Sequence, residues 1–571
     1  MDSHPQRFGK KFRRIGQTLT TFGLAALMLL VAACGGGTTS SGSHATTLRV
    51  VHAPGQAITD LFNPFFDDNH GGDWGVQGLV YETLYIVNLY NGQEIPMLAT
   101  SYTYNSDLTQ LTFHLRNGVK FNDGSSFTSA DVAATFQELK AHPTLDITGA
   151  SSYFTTVTAP DANTVVFTLP SPDSLALFHL GGGVYIVPQA ALSGISGDPA
   201  KWANDSKPVG SGPYTLSSWN PNLITYKANP NYWGTQPAVK TIQVPVEKSN
   251  ATAITDMISG KLDWMGTGWD PSLDPSYTGK SQDNHEFFAP NNTVMLYLNL
   301  DKAPFNNLNF RKAVSAAINR SQLPTGVAAY AKEADPTGVV IPNQKSWITG
   351  NAQFGTSDQV AGFMTAAGFK KGSDGFYEYN NGNSFSMKVN VPQGWNDWDQ
   401  DVKNIVDDLN SAGIRAAGNY QAGYDPYFPD MTSGNYDASI SWTNAGPTPY
   451  FTFQPLLDSA YSSSNSTAVQ GTNFERWDSK TSNGYSAQTD ALLKQYESTT
   501  DKATQQQAIS GIEQIMVSQL PVIPLTVNVT WDEYTTTHWV GWPSTSDPYD
   551  VGSPYSMPDA ENVILHLKPA K

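Results

Sequence analysis

The chain has 571 residues, 39% hydrophobic and only 15% charged, with a formal net charge of −17 at neutral pH. A single hydrophobic core does not organise that length, so two or three lobes are expected. The negative field repels phosphate backbones and anionic lipid alike, which excludes nucleic acid as a partner and requires any membrane attachment to be covalent or inserted. The first element is a basic stretch, Lys10-Lys11-Phe12-Arg13-Arg14, followed by an apolar run from Phe22 to Ala33. The run is about a dozen residues, short of the roughly 20 a spanning helix needs, and it reads as the hydrophobic region of a signal peptide over residues 1–33. Residues 1–33 hold five basic groups and one acidic group, so their removal deepens the charge from −17 to −21.

The run ends Val31-Ala32-Ala33-Cys34-Gly35, and small residues just before a Cys resemble the bacterial lipobox, in which the Cys is acylated. Cys34 is the only Cys of the chain, so no intrachain disulfide can form. Residues 34–47, rich in Gly, Ser and Thr, read as a flexible tether with nothing to bury. Order is expected from the β-branched run Thr47–Val51. Leu111, Phe113 and Leu115 alternate with polar residues, as in a half-buried strand. Thr128-Ser129-Ala130-Asp131 is a capping-box pattern that opens a helix through Leu139. Val294, Leu296, Leu298 and Leu300 put a one-sided strand over 294–300. Trp398, Val402, Ile405, Val406 and Leu409 have helical spacing, and Gly413 ends that helix. Ala508, Ile509, Ile512, Ile515 and Met516 mark a further helix. The class is mixed α/β.

Several stretches in order resemble one family. They include Leu61-Phe62-Asn63-Pro64-Phe65, the long run Leu111 to Gly124 continuing through Phe127-Thr128-Ser129-Ala130-Asp131-Val132, and Pro208-Val209-Gly210-Ser211-Gly212-Pro213-Tyr214. Val80-Tyr81-Glu82-Thr83-Leu84, Asn229-Pro230-Asn231-Tyr232-Trp233-Gly234, Gly260-Lys261-Leu262-Asp263-Trp264, Tyr297-Leu298-Asn299-Leu300 with Pro304-Phe305, Phe310-Arg311-Lys312-Ala313-Val314 and Leu520 to Leu525 complete the set. On these the chain resembles the family-5 extracellular solute-binding proteins of oligopeptide, dipeptide and nickel ABC importers. The resemblance implies a two-lobed, periplasmic-binding-protein-like α/β fold closing on solute. Lobe I is expected over 48–80, 210–300 and 520–571, an extra domain inserted in it over 81–209, and lobe II over 301–519. Hinge crossings fall near Asn299–Ala303 and Val517–Pro521. The implied partners are a membrane permease and a separate ATPase. A monomer is expected, extracytoplasmic and held at the cell membrane by a lipid on Cys34.

No cofactor is expected. The ten histidines are scattered without ligand spacing, which argues against a metal site, and the chain lacks a Walker A loop, a nucleophile elbow and a dinucleotide fingerprint. An enzyme is not expected, although a surface-tethered carbohydrate-active enzyme is the alternative class, because its paired carboxylates need not be neighbours in sequence.

The solute is read as an oligosaccharide or an oligopeptide. Peptide-binding members of the family hold the α-amino group with an Asp shortly after a Tyr-Asp…Trp segment. Here Tyr436-Asp437 and Trp442 are followed by Thr443-Asn444-Ala445-Gly446-Pro447, without that Asp. An ammonium buried without a carboxylate costs several kcal/mol. The segments Val391 to Trp398 and Val540-Gly541-Trp542-Pro543 resemble the oligosaccharide-binding branch. The candidate ligand residues are Trp74, Trp395, Trp442, Asn444 and Trp542. Trp398 lies on the apolar stripe of its helix and Trp264 beside a Gly turn; both are read as core.

Overall fold

The computed structural model describes residues 45–571 apart from 52–57, 66–73, 196, 267–268 and 463–472. The leader and Cys34 lie outside the described residues. Thr47–Val51 enters the middle of a seven-stranded sheet, between Trp264–Met265 and Thr241–Pro245, and runs parallel to both. The sheet continues through the antiparallel strands Leu223–Ala228 and Tyr214–Asn220 on one side, and through Glu533–Thr535 and Asn284–Glu286 on the other. Lobe I is therefore stitched together from distant parts of the chain.

A four-stranded antiparallel sheet follows in sequence, in the order Ala99–Tyr104, Gln110–Leu115, Thr164–Thr168, Thr156–Asp161. The alternation at Leu111, Phe113 and Leu115 buries all three, and helix α1 (Ser129–Ala141) packs on the same sheet, where Phe136 meets Phe167 at a ring distance of 4.7 Å. The expected capping box closes α1: the backbone N–H of Thr128 donates to Asp131 Oδ2 at 2.8 Å. This domain and lobe I share one continuous core running from Leu48 to Leu567.

A second core fills lobe II. Its six-stranded sheet has the order Lys332–Glu333, Ile523–Val529, Pro290–Leu298, Ala438–Trp442, Met387–Pro392, Ala416–Gln421. Helix α2 (Asn396–Ser411) lays Trp398, Val402, Ile405 and Leu409 into this core, and Gly413 ends it with φ at 88°. The strand expected to be one-sided is buried on both faces from Asn292 to Leu298, because it is central in the sheet.

The crossings between the lobes differ from the expected hinge. Pro290–Leu298 and Ile523–Val529 belong to the lobe II sheet, so the two chain passages lie outside them. There Phe287 N–H donates to Asp532 O and Thr530 N–H to Ala289 O, both at 2.8 Å. Residues 299–303 and 517–521 are instead anchored inside lobe II. The Asn299 amide donates to Gly434 O at 2.9 Å, and the Arg311 guanidinium donates to Gln519 O at 2.7 Å and Leu520 O at 2.8 Å. A segment pinned by its own lobe cannot serve as the pivot.

Candidate functional site

Three parallel neighbours in the lobe II sheet deliver three aromatic rings from their C-terminal ends. Trp442 is the last residue of Ala438–Trp442, Trp395 follows Met387–Pro392, and Tyr424 follows Ala416–Gln421. The carboxyl ends of parallel strands are where open α/β sheets place ligands. Strands stand roughly 4.8 Å apart, so groups at equivalent positions are carried side by side. The ring centroids are 5.6 Å apart for Trp395–Trp442, 6.0 Å for Trp395–Tyr424 and 6.2 Å for Tyr424–Trp442, and their planes agree within 16°. Trp398 braces this platform, 5.1 Å from Trp395 and 5.3 Å from Trp442. The indole N–H groups of Trp395 and Trp442 have no acceptor among the described residues.

Beyond Trp442 the chain enters the wall of a cavity of about 710 Å³, through Asn444 and Ala445. Its other walls come from lobe I (Pro64, Gln77), the extra domain (Tyr153, His179) and the C-terminal segment (Tyr555, Met557). The volume falls within the range of pockets that enclose small ligands.

The lining offers a ligand almost no charge. No Lys or Arg takes part among the described residues. Asp146 accepts the backbone N–H groups of Ala150 and Ser151, both at 2.8 Å, and Asp559 accepts that of Leu89 at 3.1 Å. His179 stacks on Tyr153 with centroids 3.7 Å apart and planes within 7°. Burial pushes its imidazole down to about 3, so it is neutral across the physiological range. Phe178 meets Phe451 at 4.3 Å and joins the extra domain to lobe II at the rim.

The residues expected from sequence divide. Trp395 and Trp442 form the platform, and Asn444 is exposed in the cavity wall. Trp74 and Trp542 do not reach either feature and are corrected to core. Trp74 is fully buried, donates its indole N–H to Pro554 O at 2.6 Å and lies under the returning C-terminal chain. Trp542 is 6% exposed, stacks on Tyr534 at 5.0 Å and donates to Trp539 O at 2.9 Å. Asp437 lies 3.7 Å from the Lys302 ammonium.

Tyr424, Tyr153 and His179 were missed. Tyr424 had a signal: Gly394 precedes Trp395 and Gly423 precedes Tyr424, both glycines lying in the left-handed region at 96° and 87°. A glycine turn followed by an aromatic at each of two strand ends marks equivalent positions. Tyr153 and His179 carry no such mark.

Residues 93–464 match the sequence profile of the bacterial extracellular solute-binding proteins, family 5. The peptide transport periplasmic protein SapA of Salmonella typhimurium is 24% identical over 489 residues, covering 80% of this chain and 82% of its own length. The crystal structure of the periplasmic oligopeptide-binding protein of an oligopeptide ABC transporter from Thermotoga maritima superposes with a TM-score of 0.83, at 24% identity, over 92% of this chain and 99% of that one. Its mannohexaose-bound form gives a TM-score of 0.76 over 92% and 98%. The profile spans more than half of the chain, and the two-lobed fold agrees with it: this chain belongs to the family-5 extracellular solute-binding proteins.

Proposed function

We propose that this protein captures a neutral oligosaccharide for a peptide/nickel-type ABC importer, holding it between the Trp395–Trp442–Tyr424 platform and the adjoining cavity. The family consists of extracytoplasmic binding proteins rather than enzymes, and its members hand solute to a membrane permease driven by a separate ATPase. The lipid on Cys34 would keep the monomer at the cell membrane.

One observation carries the choice of ligand. Three nearly parallel rings with indole N–H groups unused among the described residues adjoin a cavity whose described lining has no Lys or Arg. Pyranose rings present apolar C–H faces to aromatic planes and hydroxyls to N–H donors. The mannohexaose held by the Thermotoga protein supports this reading. An oligopeptide is the second reading, supported by the names of the SapA and Thermotoga relatives. Its carboxylate end would find no Lys or Arg among the described lining residues.

A thermal-shift screen of the mature chain carrying Cys34→Ser decides between them. Mannohexaose, cellohexaose and xylohexaose are compared with tri- and hexapeptides. A ligand present at a hundred times its dissociation constant stabilises by about 2.7 kcal/mol. Stabilisation by one or more sugars is expected. Stabilisation by peptides alone transfers the site to the second reading.

A further inference from the structure

In the extra domain, Leu177–Gly182 forms a π-helix, a wide turn that is rare in proteins and recurs at functional sites. Three glycines in a row, Gly181-Gly182-Gly183, close it. A Cβ on Gly183 would stand 2.7 Å from His179 O, and one on Gly181 3.2 Å from the Phe113 ring, so side chains there would push the turn out of shape. Only glycine lets the turn sit this close to the sheet beneath it. So seated, the turn brings Phe178, His179, Gly182 and Gly183 into the cavity wall.

The imidazole of His179 is fixed by rings alone. Tyr153 covers one face at 3.7 Å, Phe178 meets it edge-on at 5.3 Å, and Phe451 of lobe II stands 6.5 Å away. Neither ring nitrogen has a hydrogen-bond partner among the described residues. A half-buried polar group without a partner costs stability, and a phenyl ring would fill the same place without that cost. Packing therefore does not account for a histidine here. Burial keeps the imidazole neutral, so one nitrogen donates and the other accepts.

A second neutral group comes from lobe II. The helix Tyr450–Leu457 turns Phe451, Gln454 and Pro455 to the cavity, at the i, i+3, i+4 spacing of one helical face. The Gln454 amide is half-buried and has no partner among the described residues. Other polar side chains of the wall are already engaged. Gln77 donates to Pro64 O at 2.9 Å, Ser152 donates to Gly149 O at 2.7 Å, and Asp146 and Asp559 accept backbone N–H groups.

Imidazole and amide each offer a donor and an acceptor and carry no charge. A sugar hydroxyl also donates and accepts, and a sugar ring presents its hydroxyls in adjacent pairs. We propose, resting on the oligosaccharide reading, that His179 and Gln454 determine specificity in the cavity by hydrogen-bonding adjacent hydroxyls of one sugar ring. The platform then takes the apolar faces of the guest and this pair takes its polar edge. Because His179 belongs to the extra domain and Gln454 to lobe II, the guest ties the two together beside the Phe178–Phe451 contact.

The test titrates mannohexaose, cellohexaose and xylohexaose calorimetrically into the mature chain carrying Cys34→Ser, alone and with His179→Phe or Gln454→Leu added. Phenylalanine keeps a flat ring on Tyr153 and removes both nitrogens. Each variant is expected to bind the preferred sugar about tenfold more weakly than the parent, the loss of one hydrogen bond made out of water. Without sugar, His179→Phe should melt no lower than the parent, because it relieves an unpaired polar group. Parental affinity in either variant overturns the inference and leaves the sugar reading standing. A parent that binds none of the three sugars sinks both. If His179→Phe melts lower or fails to fold, ring-nitrogen NMR of the parent decides, with isotope-labelled histidine and His179→Gln to assign the signals. Movement of the His179 signals on adding the bound sugar supports direct contact, and signals that stay in place overturn it.

Discussion

A tryptophan gains by burying its ring but needs an acceptor for its indole N–H. Trp74, Trp264, Trp539 and Trp542 each find one in lobe I, at Pro554 O, Asp532 Oδ1, Thr47 O and Trp539 O. Trp395 and Trp442 have none among the described residues, and their rings are half-exposed. That contrast separates packing from recognition. Trp442→Ala and Trp395→Ala should therefore weaken solute binding by about tenfold or more each, from lost stacking of about 0.5–1.5 kcal/mol plus lost burial. Trp542→Ala should unfold lobe I more readily, at a cost of about 3–5 kcal/mol. Calorimetric titration beside urea unfolding separates the two classes. Equal affinity in Trp442→Ala would remove the platform from the site.

Asp131 shows how one side chain joins elements. Its Oδ2 accepts from Thr128 N–H at the start of α1, and its Oδ1 accepts from Gln189 N–H at 2.9 Å, where the next helix, Gln189–Ser193, begins. Asp131→Ala leaves both donors unmatched at once and is expected to cost about 2–3 kcal/mol in urea unfolding, with Asp131→Asn recovering part of it. A cost near zero would mean that water replaces the carboxylate at both helix starts. The capping half of this arrangement was legible in sequence, because Thr-x-x-Asp before an apolar stripe is a local pattern. The bridge to Gln189 was not, since nothing local says which helix start comes near. The same division holds elsewhere. Periodicity placed the buried face of α2, but it could not tell that Pro290–Leu298 is covered on both sides, nor that Asn299 and Arg311 anchor the expected hinge to lobe II. At the site, Trp395 was readable because it falls off the apolar stripe of its helix. Trp74 and Trp542 misled because polar and Gly-rich surroundings give no warning that the C-terminal chain returns over one and Tyr534 stacks on the other.

At the scale of the molecule, lobe I, the extra domain and lobe II all contribute walls to the cavity, so parting two of them widens the way in for a solute. The rim between the extra domain and lobe II is closed by specific contacts. Ser174 N–H donates to Glu497 O at 2.7 Å, the Lys494 ammonium donates to Ser171 Oγ at 2.8 Å, and Leu175 and Phe178 pack against the lobe II core. Phe178 and Phe451 line the cavity behind this line of contacts. A backbone hydrogen bond brings Ser174 and Glu497 close enough for their Cα atoms to fall in the span of roughly 4.4–6.8 Å that a disulfide bridges. Since Cys34 is the only native thiol, a Cys34→Ser background carrying Ser174→Cys and Glu497→Cys makes a single, defined lock. The oxidised form is expected to take up mannohexaose at least about a hundredfold more slowly than the reduced form, because a closed rim converts rapid association into a blocked one. Protein oxidised after loading should retain its solute through dialysis, and a reductant should release it. Glu497→Cys alone, which gives up the hydroxyl bond from Tyr450 without forming a bridge, serves as the control. If oxidised and reduced forms exchange solute at the same rate, the rim stays shut throughout the cycle, and access runs instead along the crossings at Phe287–Pro290 and Val529–Asp532.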